Sequence, residues 1–395
     1  MTSEGLPQTV NPPVRTLLGP GPSATHPDVY RAMMSPVISH LDPAYLQIMD
    51  EVQDMLRAAY RTGNRVTLAL PGTGTAGMEA AMANLLEPGD TIVIGIAGYF
   101  GERMAEMAGR YGARVVRVDA EWGTPVEPER IRDAVRGAGR VKAVAIVHGE
   151  TSTGVLQPVG EVARIAHDAG ALVIVDAVTS FATCELAVDE WELDYVYSCT
   201  QKGLSCPPGL SPITVNERAM LAIHARGAKV PNWYLDLTLL EKYWGPERVY
   251  HHTAPATMFY ALHEGLRLVL EEGLAKRVAR HQKNAAAFAA ACEAMGMLLR
   301  VASEFRLPPL TTVRVPDGVD EAAVRARLLK ERSIEIGAGL GALRGEVWRV
   351  GLMGFSSTEA NVLLIARALA EAVEAQGRSV DVAAGLGAAS KALSA

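Results

Sequence analysis

The chain has 395 residues, 49% of them hydrophobic, which predicts two domains with cores that need no disulfide. Its net charge of −6 offers no basic surface for nucleic acid, and no apolar run is long enough to span a membrane. The four cysteines have no metal-binding spacing and the N-terminus has no signal-peptide pattern, so we expect a cytoplasmic protein without a metal site.

Prolines and glycines between residues 12 and 22 predict that residues 1–24 form an arm without regular structure. Beyond the arm, apolar periodicity predicts helices that alternate with short apolar strands. The predicted elements are helix 44–61, strand 66–70, helix 77–86, strand 91–96, helix 101–111, strand 114–118, helix 128–136, strand 143–147, helix 159–169, strand 171–175 and strand 195–198. This alternation predicts an α/β fold in which helices flank a mostly parallel sheet.

A long helical stretch from 256 to 296, interrupted near Gly273, leads into a smaller α+β unit. Its predicted elements are strand 310–315, helix 320–331, strand 334–336, strand 347–352 and helix 357–375. The predicted domains are the N-terminal arm 1–24, a large cofactor-binding domain 25–272, a small C-terminal domain 273–378 and a C-terminal tail 379–395. The Ala/Gly-rich composition of the tail suggests fraying.

Two residues at strand ends point to a cofactor. Asp176 ends the apolar strand 171–175, and Lys202 follows the next strand along the chain. In parallel sheets, ligands bind beyond the carboxyl ends of the strands. A lysine amine can form a Schiff base with an aldehyde, and a carboxylate can keep a pyridine nitrogen protonated. A lysine after a strand is ordinary by itself, but the pair predicts pyridoxal 5′-phosphate.

A glycine-rich turn, Pro71–Gly77, lies between strand 66–70 and the following helix. Small residues and the hydroxyls of Thr73 and Thr75 at a helix N-terminus predict a phosphate site. The same glycines fit the dinucleotide pattern G-x-G-x-x-G, but the next strand ends in Gly95–Gly98 without the acidic residue that pattern needs. A turn without any ligand remains an alternative.

Three further segments are candidates. The loop His148–Gly154 is either a ligand loop or an ordinary turn, and His148 fits a buried hydrogen-bonding residue better than a catalytic base. Arg349 lies in an apolar strand and needs a partner, for which a substrate carboxylate and a structural salt bridge are equally suitable. His251 and His252 would point to opposite faces of a strand, which disfavours zinc.

Taken together, these residues resemble the class V, fold-type I aminotransferases, specifically the alanine–glyoxylate and serine–pyruvate (serine–glyoxylate) branch. The segments that carry the resemblance are Tyr45–Glu51, Gly149–Gly154, Val175–Val178, Gln201-Lys202 with Pro207-Pro208-Gly209, Tyr250–Thr253 and Trp348–Gly351. The resemblance extends over nearly the whole chain. It implies a homodimer with shared active sites that moves the amino group of alanine or serine to glyoxylate or pyruvate by a ping-pong mechanism.

The resemblance also implies a role for each site residue. Lys202 would be the Schiff-base lysine and proton shuttle, and Asp176 would hold the pyridinium nitrogen. The other implied cofactor contacts are Thr73, Gly74, Thr75 and Gln201 at the phosphate, Thr151 at the phenolic oxygen, Val178 under the ring, Phe100 stacked on it, and Tyr250 and Thr253 reaching the phosphate from the partner subunit. Arg349 would bind the substrate carboxylate, and Gly21 and His40 would line the substrate pocket.

The chain departs from the family pattern in its phosphate loop, where Thr75 stands at a position that is histidine in many relatives and therefore offers fewer donors. His40-Leu41-Asp42 and Glu121–Thr124 are similar to a bacterial branch that transaminates (S)-ureidoglycine with glyoxylate, but that branch prefers amides at the positions of His40 and Tyr250. Ureidoglycine transfer is therefore the alternative function. A cysteine desulfurase would need a mobile cysteine late in the chain, where only Cys292 lies. A nicotinamide-dependent oxidoreductase and a catalytically silent scaffold are more distant possibilities.

Overall fold

The computed structural model describes residues 9–394. Up to residue 272 the elements are β1 (Thr16–Leu17), α1 (Pro27–Met33), α2 (Pro43–Tyr60), β2 (Val66–Pro71), α3 (Gly74–Leu85), β3 (Thr91–Ile96), α4 (Tyr99–Arg110), β4 (Arg114–Asp119), α5 (Pro128–Ala138), β5 (Ala143–Val147), β6 (Gly149–Glu150), β7 (Val155–Leu156), α6 (Val159–Asp168), β8 (Leu172–Asp176), β9 (Tyr195–Tyr197), β10 (Leu210–Val215), α7 (Glu217–His224), α8 (Leu237–Trp244) and α9 (Ala256–Glu272).

The later elements begin immediately after Gly273. They are α10 (Leu274–Ala294), β11 (Leu310–Arg314), α11 (Glu321–Arg332), β12 (Ile334–Glu335), β13 (Gly337–Ala338), β14 (Val347–Gly351), α12 (Glu359–Glu374) and α13 (Val382–Ser394). The predicted domain boundary near residue 272 coincides with Gly273, where the chain changes direction between two helices with φ at +83°. The division into domains stays a prediction, although the buried apolar residues do form two large clusters, one within residues 29–269 and one that combines Leu18 with residues 287–393.

A seven-stranded sheet forms the centre of the larger part, in the order β2-β10-β9-β8-β5-β3-β4. Only the two pairings of β10 are antiparallel, and the others are parallel. The predicted α/β fold with a mostly parallel sheet is therefore confirmed. Strands β3, β5 and β8 are buried along their whole length, as expected for strands covered by helices on both faces.

The register of this sheet determines which loops meet at its carboxyl edge. Val147 at the end of β5 lies opposite Asp176 at the end of β8, and Asp176 lies opposite Tyr197 at the end of β9. The loops that follow β2, β3, β5, β8 and β9 therefore open on the same side. These loops contain most of the predicted site residues.

The N-terminal arm is more regular than predicted. Thr16–Leu17 pair in parallel with Ile334–Glu335, and Leu18 is buried in the core of the smaller part. The prediction that the arm lacks regular structure is therefore wrong for these residues, because a two-residue strand depends on a distant partner and has no local signal. Residues 1–8 of the predicted arm lie outside the described residues.

The C-terminal tail was expected to fray, and this expectation is wrong for residues 382–394. They form α13, and Gly385, Ala389 and Leu393 are buried. A Cβ at Gly385 would overlap Met295 Cγ and lie 2.7 Å from its Sδ. The small residues that suggested disorder thus allow α13 to pack closely on the end of α10.

All four cysteines are free and buried. Within residues 9–394 no helix is both long and apolar enough to cross a bilayer. Cys292 lies in α10 and is fully buried in the core, and burial raises the pKa of its thiol well above the usual value. This environment does not suit the mobile nucleophile that a cysteine desulfurase requires.

Candidate active site

Lys202 is the centre of the site and is almost completely buried. Its Nζ donates to the carbonyl oxygen of Pro20 in the arm, and Ser23 Oγ donates to the Lys202 carbonyl oxygen at 2.7 Å. Burial lowers the pKa of the amine to about 8, and the charge of Arg349 also lowers it. A fraction of the amine is therefore uncharged near neutral pH, as a nucleophile or base requires.

The arm approaches Lys202 at a glycine. Gly21 has φ at +117°, a conformation that side chains rarely adopt, and a Cβ there would lie 2.5 Å from Lys202 Nζ and 2.6 Å from its Cε. Gly21 was predicted to line the substrate pocket. In the structure its backbone lies directly beside the Lys202 side chain.

Asp176 ends β8 and is buried. Its Oδ1 accepts from the Val178 amide and its Oδ2 from the Tyr197 hydroxyl, each at 2.8 Å. Burial raises the pKa of the carboxyl to about 6, although the two hydrogen bonds and Lys202 lower it. A carboxylate can accept about four hydrogen bonds, so Asp176 retains acceptor capacity for a ligand.

The phosphate loop, residues 71–77, leads into α3. Thr73 is the N-cap of this helix but its side chain makes no cap hydrogen bond, and the first amides of a helix have no intrahelical partner. Gly74 is so close to the Val178 side chain that a Cβ would lie 2.7 Å from Val178 Cγ2. The phosphate loop therefore lies against Val178, the residue that was predicted to pack under the cofactor ring.

Gln201 precedes Lys202 and was expected at the phosphate. Its backbone oxygen accepts from the Ser23 amide at 2.8 Å. Its side-chain Oε1 is buried and has no hydrogen-bond partner among the described residues. A buried acceptor without a partner costs free energy, about 1–3 kcal/mol, so this atom is suited to a hydrogen-bond donor of a ligand. A phosphate oxygen is itself an acceptor, so only the side-chain NH2 of Gln201 could donate to the phosphate.

Arg349 lies in the middle of β14, buried between β11 and β13. Its Nε donates to the Ala338 oxygen at 2.7 Å and its Nη1 to the Thr151 oxygen at 3.1 Å. Nη2 donates to no described residue, and no carboxylate within residues 9–394 pairs with this guanidinium within 4.0 Å. Burial lowers the pKa of Arg349 to about 10, so it remains charged at neutral pH. These contacts favour a carboxylate ligand over a structural salt bridge.

Thr151 connects Arg349 to the sheet edge. Its hydroxyl is buried and hydrogen-bonds the hydroxyl of Thr179, while its backbone oxygen accepts from Arg349. Phe100 lies in the first turn of α4, where Glu150 accepts from the amides of Phe100 at 3.5 Å and Gly101 at 3.3 Å. Glu150 is buried, and burial raises its pKa. The Glu150 carboxylate therefore holds the first turn of α4, which contains Phe100.

His40, Tyr250 and Thr253 lie apart from the other predicted site residues. The rings of His40 and Tyr250 are 5.5 Å apart, and Tyr250 and Thr253 are exposed. Among the described residues, no hydrogen bond or ring contact joins any of the three to Lys202, Asp176 or Arg349. Direct contacts thus connect Lys202 with Gly21's neighbour Pro20, Asp176 with Val178, and Arg349 with Thr151, but do not connect these three residues to them.

Two histidine interpretations can now be compared with the structure. His148 is buried and lies edge-on to Trp191, and burial lowers its pKa to about 4. Its burial is as predicted, but the predicted hydrogen bond is not found, because Nδ1 has no partner among the described residues. The expectation that His251 and His252 point to opposite faces is wrong. They lie in an irregular segment rather than a strand, and their Nδ1 atoms are 2.8 Å apart.

Sequence reasoning missed Tyr197 and Glu150. Tyr197 bonds Asp176 because the two residues are register partners on neighbouring strands, and only a correct register for β8 and β9 could have shown it. Glu150 belongs to a segment that the sequence singled out, but its contact with α4 depends on the packing of β6 against that helix.

These features together fit pyridoxal phosphate. A buried lysine amine, a buried carboxylate with free acceptor capacity and an uncapped helix N-terminus all lie around the carboxyl edge of the sheet. They match an aldehyde, a ring nitrogen and a phosphate respectively.

Comparison with known proteins defines the class. The family model "Aminotransferase class-V" matches residues 26–362. The (S)-ureidoglycine–glyoxylate transaminase of Bacillus subtilis (strain 168) is 43% identical over 373 residues, covering 89% of each chain. The alanine–glyoxylate aminotransferase of Drosophila melanogaster is 39% identical, covering 92% of this chain and 93% of that protein.

The same relationship is found among solved structures. The crystal structure of an alanine–glyoxylate aminotransferase from Nostoc sp. has a TM-score of 0.92 and 50% identity, covering 94% of this chain and 98% of the other. This chain belongs to the class V aminotransferases, and it is an enzyme of the transaminase type.

Proposed function

We propose that this aminotransferase uses pyridoxal 5′-phosphate and moves the amino group of alanine or serine to glyoxylate or pyruvate in a ping-pong cycle. The observation that supports this most directly is the buried amine of Lys202, which has a lowered pKa and lies within electrostatic range of Asp176 and Arg349. When bound, the cofactor supplies an aldehyde for the amino group and a protonated ring that withdraws electrons from the substrate Cα.

The residues of the chain then have separate tasks. The uncharged amine of Lys202 takes the proton from the donor Cα and returns a proton to the acceptor. The Asp176 carboxylate keeps the ring nitrogen protonated, since its negative charge favours the protonated form. Arg349 binds the carboxylate that donor and acceptor both present, with Nη2 free for that contact.

The position of Gly21 beside Lys202 supports small substrates. Gly21 approaches Lys202 so closely that even a Cβ would lie 2.5 Å from Nζ, and the arm therefore limits the space beside the amine. A substrate whose carboxylate is bound by Arg349 has little room for a long side chain next to Lys202. Alanine, serine, glyoxylate and pyruvate meet this requirement.

We also propose a homodimer in which Tyr250 and Thr253 of one chain complete the phosphate site of the other. Both residues are exposed and have no described contact with the phosphate loop of their own chain. Exposed apolar side chains lie next to Tyr250 in the chain, at Val249, and close in the chain to His40, whose ring lies 5.5 Å from that of Tyr250, at Met34, Val37 and Leu41. Such residues are typical of a surface covered by a partner.

The second candidate is transfer from (S)-ureidoglycine to glyoxylate. The 43% identical relative with that activity in its name supports it. The ring pair of His40 and Tyr250 speaks against it, because the resemblance implies amide side chains there in that branch.

A panel of amino donors separates the two. We expect alanine or serine with glyoxylate to give the highest kcat/KM, with pyruvate as the weaker or equal acceptor. A kcat/KM for (S)-ureidoglycine more than about tenfold above that for both amino acids, equivalent to 1.4 kcal/mol of transition-state stabilisation, would establish the second function instead.

A further inference from the structure

The residues proposed to bind the cofactor phosphate contain no positive charge. Thr73, Gly74, Thr75 and Gln201 are neutral, as are Tyr250 and Thr253 of a second copy. A phosphate monoester has a charge of about −1.5 to −2 at pH 7. Hydroxyl and amide donors can bind such an anion, but a site for a near-dianion is expected to include a cation or a strong substitute for one.

Arg103 is the cation that contacts this loop. It lies on α4, and its Nη1 donates to Thr75 Oγ1 at 3.2 Å. Thr75 is in the first turn of α3, at the end where the helix amides are free to bind an anion. The guanidinium of Arg103 is thus beside the phosphate loop although it is 28 residues away from Thr75 in the chain.

The charge of Arg103 is not neutralised by a neighbour. Glu102 and Glu106, the nearest acidic residues on the same helix, pair with Arg117 and Arg110 respectively. Within residues 9–394 no carboxylate lies within 4.0 Å of the Arg103 guanidinium nitrogens. The cation therefore remains available to an anion that arrives at the loop.

Aromatic faces hold this guanidinium in place. Its Cζ lies 5.0 Å from the centre of the Phe100 ring and 5.4 Å from that of Tyr99, and both distances are in the range of cation–π contacts. Phe100 is itself fixed through its backbone amide by the buried Glu150. Arg103 is thus held beside the phosphate loop by the residue expected to stack on the cofactor ring.

We propose that Arg103 is a phosphate-binding residue of the cofactor site and supplies the positive charge that the other residues of this site lack. This inference rests on the proposed use of pyridoxal phosphate. The planar guanidinium has five N–H donors in a geometry that matches phosphate oxygens, so it can hydrogen-bond Thr75 and an anion together. Arg103 would select for the phosphorylated form of the cofactor and would leave recognition of its ring and aldehyde to other residues.

The test compares cofactor binding by cofactor-free wild type, Arg103→Gln and Arg110→Gln. The control residue Arg110 lies on the same helix and, within residues 9–394, pairs only with Glu106 on the surface. Each protein is titrated with pyridoxal phosphate and with pyridoxal, which lacks the phosphate, and dissociation constants are measured by absorbance. We expect Arg103→Gln to weaken pyridoxal phosphate binding by about 10- to 100-fold and to leave pyridoxal binding unchanged. Arg110→Gln should change neither.

The possible outcomes distinguish the role of Arg103 from the proposed use of pyridoxal phosphate. If wild type binds pyridoxal phosphate but Arg103→Gln has an unchanged preference for it over pyridoxal, the role of Arg103 is overturned and the proposed cofactor stands. If wild type binds neither compound, the proposed cofactor itself is wrong. If Arg103→Gln does not fold, Arg103→Lys replaces it, because it keeps the charge but loses the planar fork. An equal loss for both compounds in that variant would also overturn the inference.

Discussion

At the scale of single residues, Asp176 and Arg349 are buried charged side chains whose hydrogen-bond partners have no opposite charge. Asp176 is held by Val178 and Tyr197, and Arg349 by two backbone oxygens. None of these contacts neutralises the charge. Burying an unneutralised charge costs free energy, and a ligand of opposite charge recovers part of that cost. This arrangement is typical of a binding site and unusual for a structural core.

The hydrogen bond from Tyr197 makes a testable contribution to the ionisation of Asp176. Burial raises the pKa of Asp176 to about 6, and the Tyr197 hydroxyl opposes that rise. Tyr197→Phe removes this donor, so the pKa should rise further, by about one pH unit. Because Asp176 is proposed to act as a carboxylate, activity should then be lost at a higher pH as the solution is acidified.

The measurement is the pH dependence of kcat/KM for wild type and Tyr197→Phe. The acid limb of the profile should move to higher pH in the variant, with little change at pH 8 and above. An acid limb at the same pH in both proteins would show that the hydroxyl does not support Asp176.

Arg349→Lys should damage substrate use much more than cofactor binding. Lysine keeps the charge but cannot reproduce two parallel hydrogen bonds to a carboxylate. Each such bond contributes about 1.5–3 kcal/mol, so kcat/KM should fall by about one to two orders of magnitude. Donor and acceptor both have a carboxylate, so single-turnover kinetics should show the loss in both half-reactions. Unchanged rates for alanine and glyoxylate would leave Arg349 with a structural role only.

At the scale of elements, the sequence predicted strands and helices well where their own residues form a clear apolar pattern. The strands Thr91–Ile96 and Ala143–Val147 have the predicted bounds, because fully apolar runs between turns have few other interpretations. Helix α3 begins three residues before the predicted Gly77, at Gly74, since glycine in a phosphate loop is not a helix signal. Strand β10 was not predicted. It is buried and antiparallel, and its place between β2 and β9 depends on tertiary pairing.

The residues of the candidate site also fall into two groups: those that the local sequence marks, and those whose contacts depend on distant parts of the chain. Lys202, Asp176 and the phosphate loop could be predicted because each adjoins a strand end that the sequence marks. The contacts of Tyr197, Glu150 and Arg103 could not, because they depend on strand register and on the packing of α4. No local pattern encodes either of these features.

Helix α13 provides a prediction for an element. Gly385 and Gly387 lie in the same helix, but a Cβ at Gly385 would overlap Met295, whereas at Gly387 nothing lies within 4 Å. Gly387→Ala should stabilise the protein slightly through helix propensity, and Gly385→Ala should destabilise it through overpacking. The two free energies of unfolding should differ by about 1–3 kcal/mol, as measured by urea denaturation. Equal stabilities would mean that α13 does not pack on α10 as described.

At the scale of the whole molecule, the proposed active site needs two chains. Lys202, Asp176 and Arg349 of one chain are buried, while Tyr250 and Thr253 of the same chain are exposed. In a symmetric dimer the same patch on each subunit meets its counterpart, so both sites are completed at once.

Mixed dimers test this sharing. The first parent is Lys202→Ala, and the second combines Tyr250→Phe with Thr253→Val to remove only hydroxyl groups. A hybrid of the two contains one site with both defects and one intact site. Random mixing should therefore restore about a quarter of wild-type activity at limiting cofactor concentration, since half of the dimers are hybrids with one of two sites intact. If each chain formed its own site, mixing would restore nothing beyond the average of the parents.

The central claim is that the buried amine of Lys202 holds the cofactor aldehyde, and one measurement tests it most directly. The purified protein, loaded with pyridoxal phosphate, is reduced with borohydride, digested and analysed by mass spectrometry to locate the modified lysine. We expect the yellow absorbance to disappear on reduction and the cofactor mass to be found on Lys202, with no labelling at that position in the Lys202→Ala variant. A cofactor mass on another lysine, or none on any lysine of a fully loaded and reduced protein, would contradict the assignment.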